Sequence, residues 1–376
     1  MNIGIVCYPT FGGSGVVATE LGKGLAQEGH QVHFITYQQP ARLDSFHQNI
    51  YYHEVRPAKY PLFEYAPYST ALASRIVDVA MHDHLDILHV HYAIPHASAA
   101  FMAKQILKTH HIKLPVLTTL HGTDITLVGK DPLYEPVVTF SMNQSDGLTA
   151  VSESLKKDTF DHFKVEKEIE VIPNFVDFNR FNKSNKEHFK KAIAPNGEFI
   201  LTHVSNFRKV KRVQDVISMF CYVSQKIPCK LLMIGDGPER VNAESLARNC
   251  PHQSDVRFLG KQEAVEEILS ISDLFIMPSE SESFGLAALE AMACQVPVIS
   301  SNAGGIPEVN LDGITGFTVN VGDVRSLSEK ALLLLTQPDL LKKFKTQALK
   351  HAHQYDIKFV LPLYENYYQK IIALTQ

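Results

Sequence analysis

Short apolar runs recur along the chain, separated by longer segments in which apolar residues return every three or four positions. In the first half the runs are Ile3–Tyr8, Val32–Thr36, Ile50–Val55, Ile87–Tyr92, Val116–Leu120, Gly147–Ser152 and Ile169–Ile172. Most are continuous rather than alternating, which predicts strands buried on both faces. Between many of them the three-to-four spacing predicts helices over Val16–Glu28, Thr70–His84, Ala97–His110 and Glu153–Phe163. This order predicts an α/β unit built on a parallel sheet. The pattern lapses over Asn179–Glu198, which is polar. It resumes with predicted strands Phe199–Ser205, Leu231–Ile234, Val256–Leu259, Leu274–Pro278, Val296–Ser300 and Gly316–Val319. Helices are expected at Val213–Lys226, Ala264–Ile271, Gly285–Cys294, Ser326–Thr336 and Asp339–Tyr355.

Two α/β units of similar size are therefore expected, 1–174 and 175–356, with a last helix at about 357–376 packing back on the first. Ligands of such sheets bind beyond the carboxyl ends of the strands, so two units facing each other predict a deep cleft. A length of 376 residues fits two domains. Hydrophobic content of 45% and charged content of 20% exclude a disordered chain, a collagen or a coiled coil. Lys plus Arg number 36 against 40 for Asp plus Glu, a net charge of −4. That balance argues against a general nucleic-acid binder but leaves room for a local basic pocket. No run reaches the ~18 apolar residues of a spanning helix, and the first residues carry no basic signal region. The cysteines, Cys7, Cys221, Cys229, Cys250 and Cys294, show no zinc-type spacing and predict reduced thiols. A cytoplasmic protein without integral membrane contact is expected.

Candidate chemistry gathers where strands end. Gly12-Gly13-Ser14-Gly15 follows the first strand and opens a helix, so its amides suit an anion, or else form only a tight turn. The spacing matches neither the dinucleotide nor the P-loop fingerprint. Glu282-Ser283-Phe284-Gly285-Leu286, followed by Glu290, places two carboxylates beside a glycine turn at a helix start. Eight residues along a helix are ~2.2 turns, so both can border one elongated ligand. Ser205-Asn206-Phe207-Arg208-Lys209-Val210-Lys211-Arg212 sets four cations after a strand, suited to a pyrophosphate or to capping the next helix. Gly235 and Gly237, and Gly304 and Gly305, mark two more strand-to-helix turns. His82, His84, His89, His91 and His96 invite a metal reading, but no HExxH motif or carboxylate triad accompanies them, and no metal site is expected. His121, directly after a strand, is expected to contact a ligand at the cleft edge.

These residues together resemble the retaining, nucleotide-sugar-dependent glycosyltransferases of family 4, over essentially the whole chain. Glu282 to Glu290 matches that family's E-x7-E motif, and the turn at Gly12–Gly15, Ile172-Pro173-Asn174 and the basic patch also fit. Tyr8–Gly15, Lys59–Phe63, His89–His96 and Ser205–Arg212 look most like the branch acting on UDP-GlcNAc and L-malate. The resemblance implies the GT-B fold and transfer of N-acetylglucosamine to the malate hydroxyl with retention, the first step of bacillithiol biosynthesis. It implies that Glu290 binds the ribose, Glu282 contacts the donor sugar, and Arg208 and Lys211 neutralise the departing diphosphate. Amides near Gly15 and at Phe284, Gly285 and Leu286 would hold phosphate oxygens, with Asn206 and Gly235 beside the donor and His121 among the catalytic groups. Many members have the Arg and Lys five residues apart; here they are three apart, so Lys209 or Arg212 stand as alternatives. Ser14, Lys59, Tyr92 and Thr119 are the acceptor candidates. No cofactor or metal is expected, nor a nucleic-acid partner; a homo-oligomer is compatible with this reading. Alternatives are another acceptor, lipid or glycan, and a nucleotide-sugar-binding protein without transfer activity, against which the intact charged set argues.

Overall fold

The apolar runs become two all-parallel sheets in a computed structural model that describes residues 1–43, 46–57, 65–184 and 186–375. The chain divides into two units, Met1–Asn174 with Ile357–Gln376, and Phe175–Asp356. In unit 1 the order is β1 (Asn2–Val6), α1 (Gly13–Gln27), β2 (Gln31–Thr36), β3 (Ile50–Glu54), α2 (Tyr68–His82) and β4 (Ile87–His91). Then follow α3 (Ser98–Thr109), β5 (Val116–Leu120), α4 (Glu135–Gln144), β6 (Gly147–Ala150), α5 (Glu153–His162) and β7 (Ile169–Val171). Unit 2 comprises α6 (Glu187–Ile193), β8 (Phe199–Val204), α7 (Val213–Val223), β9 (Cys229–Ile234), α8 (Arg240–Ala247) and β10 (Val256–Gly260). It continues through α9 (Val265–Ile271), β11 (Leu274–Met277), α10 (Leu286–Ala293), β12 (Val298–Ser301), α11 (Ile306–Val309) and β13 (Gly316–Val319). The helices α12 (Val324–Thr336) and α13 (Pro338–Ala352) complete it, and α14 (Ile357–Thr375) returns to unit 1.

The sheet of unit 1 runs β3-β2-β1-β4-β5-β6-β7, and that of unit 2 runs β10-β9-β8-β11-β12-β13. Each chain path starts centrally, winds to one edge, then jumps back across its first strand to wind the other way. The jump falls between β1 and β4 in unit 1 and between β8 and β11 in unit 2. At such a switch point the two adjacent loops leave in opposite directions and open a crevice.

The central strands read as continuous apolar runs because helices cover both faces: every residue of β4 and β5 is buried. One core of unit 1 joins Val6, Ile35, Leu88 and Val90 of the sheet to Leu72 and Ile76 of α2 and Leu107 of α3. In unit 2, Leu201, Leu231 and Met233 meet Val216 and Phe220 of α7, Leu334 of α12 and Phe344 of α13. Ser152 caps α5 by accepting from the Leu155 amide at 3.0 Å, and Asp323 caps α12 from Ser326 at 2.9 Å.

Four helices fall where the spacing gives none, the short α11 among them. In α8 only Ala243 and Ala247 are buried, and α6 buries nothing, so neither carries an apolar stripe. In α4 the stripe is blurred because Val137 and Phe140 are exposed beside the buried Val138 and Met142. The expectation of reduced thiols is corrected for one pair. Cys221, late in α7, and Cys250, just past α8, form a disulfide with Cα atoms 5.2 Å apart, while Cys7, Cys229 and Cys294 are free and buried. The pair comes together because α7 and α8 pack side by side, which a separation of 29 residues does not reveal. Among the described residues no helix is long and apolar enough to cross a membrane.

Candidate active site

In unit 2 four loops converge because parallel strands deliver them to one end of the sheet. The Ser205–Arg212 loop leaves β8, and Pro278–Gly285 leaves β11, its neighbour across the switch point. The two are tied together: Lys211 Nζ lies 2.5 Å from Glu282 Oε2, and the Glu280 amide donates to the Val210 carbonyl at 2.8 Å. Both charged side chains are about one-fifth exposed, at 19% and 20%, which leaves the pair reachable. The loop after β9 lies against the first: a Cβ on Gly235, whose φ is +121°, would stand 1.7 Å from the Ser205 carbonyl oxygen. The loop after β12 lies against the second: the Gly305 amide donates to the Glu282 carbonyl at 2.9 Å, and a Cβ on Gly304 would meet that oxygen at 2.1 Å. The glycines are thus demanded by loop-on-loop packing.

Gly285, at φ +98°, turns the chain into α10 and, being a glycine, offers no side chain to cap that helix. The first turn of such a helix carries amides without intrahelical acceptors. Glu290 lies just over one turn inside, because the helix begins at Leu286, and it is 7% exposed. Phe284 is buried edge-on against Tyr355 at 5.6 Å, so its ring supports the turn while its backbone belongs to the loop. Arg208, Lys209 and Asn206 are exposed. Arg208 and Lys209 are the exposed cations of the loop, while Lys211 and Arg212 are paired with Glu282 and Asp215. His203, not singled out from the sequence, underlies this loop. Its Nδ1 bonds the Ile276 carbonyl and its Nε2 the Ser205 hydroxyl, both at 2.8 Å. Burial pushes it down to about 4, so it is neutral at pH 7. Its signal in the sequence was a histidine, next to Thr202, near the end of the otherwise apolar strand Phe199–Val204.

The switch point of unit 1 is also bridged. Ser14, in the first turn of α1, and Tyr92, just past β4, share a hydrogen bond of 2.6 Å. Tyr92 is held at φ +86°, a conformation that costs an ordinary residue ~1–3 kcal/mol and here directs its phenol back over α1. Burial pushes that phenol up to about 12, so it remains a proton donor. Gly15 is required by close packing, since a Cβ there would lie 2.4 Å from the Tyr8 carbonyl oxygen. His121 follows β5, is partly buried, and bonds His91 at 2.7 Å. Asp124, missed from the sequence except as part of the same turn, is buried and accepts from the Ala93 amide at 2.8 Å and the Gly122 amide at 3.2 Å. It joins the loops after β4 and β5, and burial raises it to about 6.

Thr119 sits differently from the other acceptor candidates. It is fully buried, and its hydroxyl is shared with His89 Nε2 and Thr149, each at 2.6 Å. His89 continues that chain to the Tyr368 hydroxyl of α14 at 2.7 Å. Thr119 thus supports the sheet interior rather than facing a ligand. Lys59 lies outside the described residues.

Two family models cover the chain in succession: Glycosyltransferase Family 4 over residues 11–180, and Glycosyl transferases group 1 over residues 184–351. The chain belongs to the family 4 glycosyltransferases, and its two parallel-sheet units are those of the GT-B fold. It is similar to N-acetyl-alpha-D-glucosaminyl L-malate synthase of Bacillus anthracis, with 46% identity over 374 residues, 99% of this chain and 97% of that protein. Among solved structures it is similar to HepE of Anabaena in complex with UDP-glucose, at TM-score 0.83 and 18% identity over 98% of this chain and 100% of that one. It is likewise similar to sucrose-phosphate synthase of Thermosynechococcus elongatus, at TM-score 0.81 and 18% identity over the whole of both chains.

Proposed function

We propose that this protein transfers N-acetylglucosamine from UDP-GlcNAc to the hydroxyl of L-malate, with the α configuration retained. The observation that carries this reading is the 46% identity to the malate synthase along 99% of the chain. Unit 2 is the donor half: Glu290 takes the ribose hydroxyls, Glu282 the sugar, and Arg208 with Lys211 the diphosphate. Amides of Phe284, Gly285 and Leu286 hold phosphate oxygens, and Asn206 and Gly235 shape the wall beside them. The bond from the anomeric carbon to the diphosphate breaks while the malate oxygen bonds the same face. The malate proton passes to a phosphate oxygen, so UDP leaves protonated and no protein nucleophile is consumed. Fixed protein cations stabilise the leaving group, the usual task of a metal in such transfers.

Unit 1 is the acceptor half, with Ser14 and Tyr92 as donors to malate and His121 beside the reacting centre. Burial drives His121 down to about 3, so it acts as a neutral hydrogen-bonding group. Lys59 is the cation proposed for a malate carboxylate. A cytoplasmic location belongs to this reading, where sugar nucleotides and malate are both metabolites.

One observation favours a second acceptor class. Leu133, Tyr134, Val137 and Phe140, spaced to share one face about α4, are 82%, 46%, 46% and 46% exposed. Such a face suits a lipid surface. The deciding experiment incubates the protein with UDP-GlcNAc and, separately, a panel of hydroxy acids and lipid acceptors, with glycosides detected by mass spectrometry. A malate glycoside supports the proposal; a product from lipid alone replaces it. Turnover in excess EDTA is expected within about tenfold of turnover with Mg²⁺, that is, within ~1.4 kcal/mol of barrier.

A further inference from the structure

His33, His53 and Asp83 converge far in sequence and away from the loops just described. His33 lies on β2, opposite Gly4 of β1 and Tyr51 of β3, and His53 lies on the edge strand β3 opposite Ile35. Residues two apart share a sheet face, so His33, Tyr51 and His53 project together. Asp83 directly follows α2. That helix runs against the strands, so its end meets their amino-terminal side, where the Asn2 side-chain amide donates to the Asp83 carbonyl at 3.1 Å. Asp83 thus reaches the cluster from the amino-terminal side, whereas His33 lies mid-strand on β2 and His53 one residue before the end of β3.

His33 Nδ1 and His53 Nε2 are 3.0 Å apart. The Asp83 carboxylate approaches His33 Nδ1 at 3.9 Å and His53 Nε2 at 4.0 Å. Two atoms bound to one zinc ion at ~2.0–2.2 Å are at most about 4.4 Å apart, and about 3.4 Å apart in a tetrahedron. Each nitrogen lies within that limit of the other and of one carboxylate oxygen, His33 of Oδ1 and His53 of Oδ2. One donor atom from each residue lies within 4.8 Å of the others, so a modest rotation of the carboxylate brings a single oxygen to both nitrogens. We propose that His33, His53 and Asp83 form a structural site for a zinc-class transition-metal ion, independent of the transfer reaction.

The donor set fits that class. Two imidazoles and a carboxylate suit zinc or cobalt better than magnesium or calcium, which take oxygen ligands. His33 is buried, whereas Asp83 is 35% exposed on its side chain, which gives an ion an entrance and a water a fourth position. Burial holds both imidazoles below their ordinary range, leaving them neutral and able to ligate. Arg75 and Asp78 of α2 also face His53, but they pair with each other, so their charges offset. The carbonyl end of α2 adds partial negative charge beside Asp83. A bound ion would fasten the edge strand β3 to β2 and to the end of α2.

The full-length protein, stripped by chelator and dialysed, is titrated with Co²⁺ and then with Zn²⁺. The expected result is an intense visible cobalt band saturating at one equivalent and displaced by zinc. The affinity should fall at least about tenfold in His53→Gln and in Asp83→Asn, both partly exposed positions whose folding is checked by circular dichroism. Zinc should also raise the melting temperature of the unaltered protein and not that of the variants. Equal metal binding by the unaltered protein and the folded variants, or no cobalt band at all, overturns the site. The two imidazoles then merely share a proton.

Discussion

The two switch points occupy the same topological position, yet they are closed by different chemistry. Between β8 and β11 the bridge is an ion pair, Lys211 to Glu282, flanked by the exposed Arg208. Between β1 and β4 it is a neutral pair of hydroxyls, Ser14 to Tyr92, backed by histidines that burial keeps uncharged. On the proposed reading, the charged crevice suits a diphosphate and the neutral one orients a smaller partner by hydrogen bonds. The parallel sheet decides where a crevice lies; the two loop sequences decide what it receives.

The difference should appear first in acid. His89 and His121 are pushed down to about 3 and His96 to about 4 in unit 1, with His91 also well below its ordinary value; unit 2 carries His203 at about 4. An unfolded histidine takes its proton near pH 6.5 while these folded ones do not, so stability is full above pH 6.5 and is lost as pH falls toward 4. At pH 5 His89, His96, His121 and His203 each cost ~2 kcal/mol relative to neutral pH, and His91 acts in the same direction. Asp124, raised to about 6, acts in the opposite sense: acid relieves its burial, but one carboxyl does not offset four imidazoles. Hydrogen exchange at pH 5 should therefore show unit 1 losing protection before unit 2. Equal loss would erase the distinction.

A sharper break comes at the charged switch point. Lys211→Ala should lower kcat by ~10²–10³, about 2.7–4 kcal/mol of leaving-group stabilisation, with little change in malate KM. Glu290→Gln should weaken UDP binding, read by calorimetry, by roughly ten- to a hundredfold, the worth of a charged hydrogen bond at ~1.5–3 kcal/mol. Unchanged affinity would remove Glu290 from the donor site. The smallest effect is expected at the neutral switch point. Tyr92→Phe keeps the ring and loses one hydroxyl, so malate KM should rise about three- to tenfold while the UDP-GlcNAc KM stays within twofold, in line with ~1 kcal/mol for a neutral hydrogen bond. A larger change in the donor KM would reassign Tyr92.

The loops were legible because glycine and proline interrupt apolar runs at Gly12–Gly15, Gly235 and Pro278–Gly285, and such interruptions mark strand ends whatever the fold. What escaped the sequence depended on contacts between distant segments. His203 and Asp124 look like stray polar residues until the Ser205 hydroxyl and the Ala93 amide are brought to them. Thr119 looked available because its position at a strand's end is visible, whereas His89 and Thr149 on neighbouring strands are not. The α8 helix was missed because a helix lying over others by two alanines has almost no periodicity to display.

The hydrogen bond from Tyr368 to His89 spans 279 positions of chain and ends in the middle of the first sheet. Tyr364 and Tyr368 are fully buried there, and Ile371 packs beside Gly147. During synthesis, then, unit 1 emerges first yet lacks part of its interior until the α14 residues have cleared the ribosome. Unit 2 is contiguous and has all of its own strands before that moment. The amino-terminal unit therefore cannot complete its interior before unit 2 has been synthesised, whatever the usual amino-terminal-first order of vectorial folding. A nascent chain stalled before Ile357 leaves the strand carrying His89 without its cover, the kind of surface that holding chaperones engage.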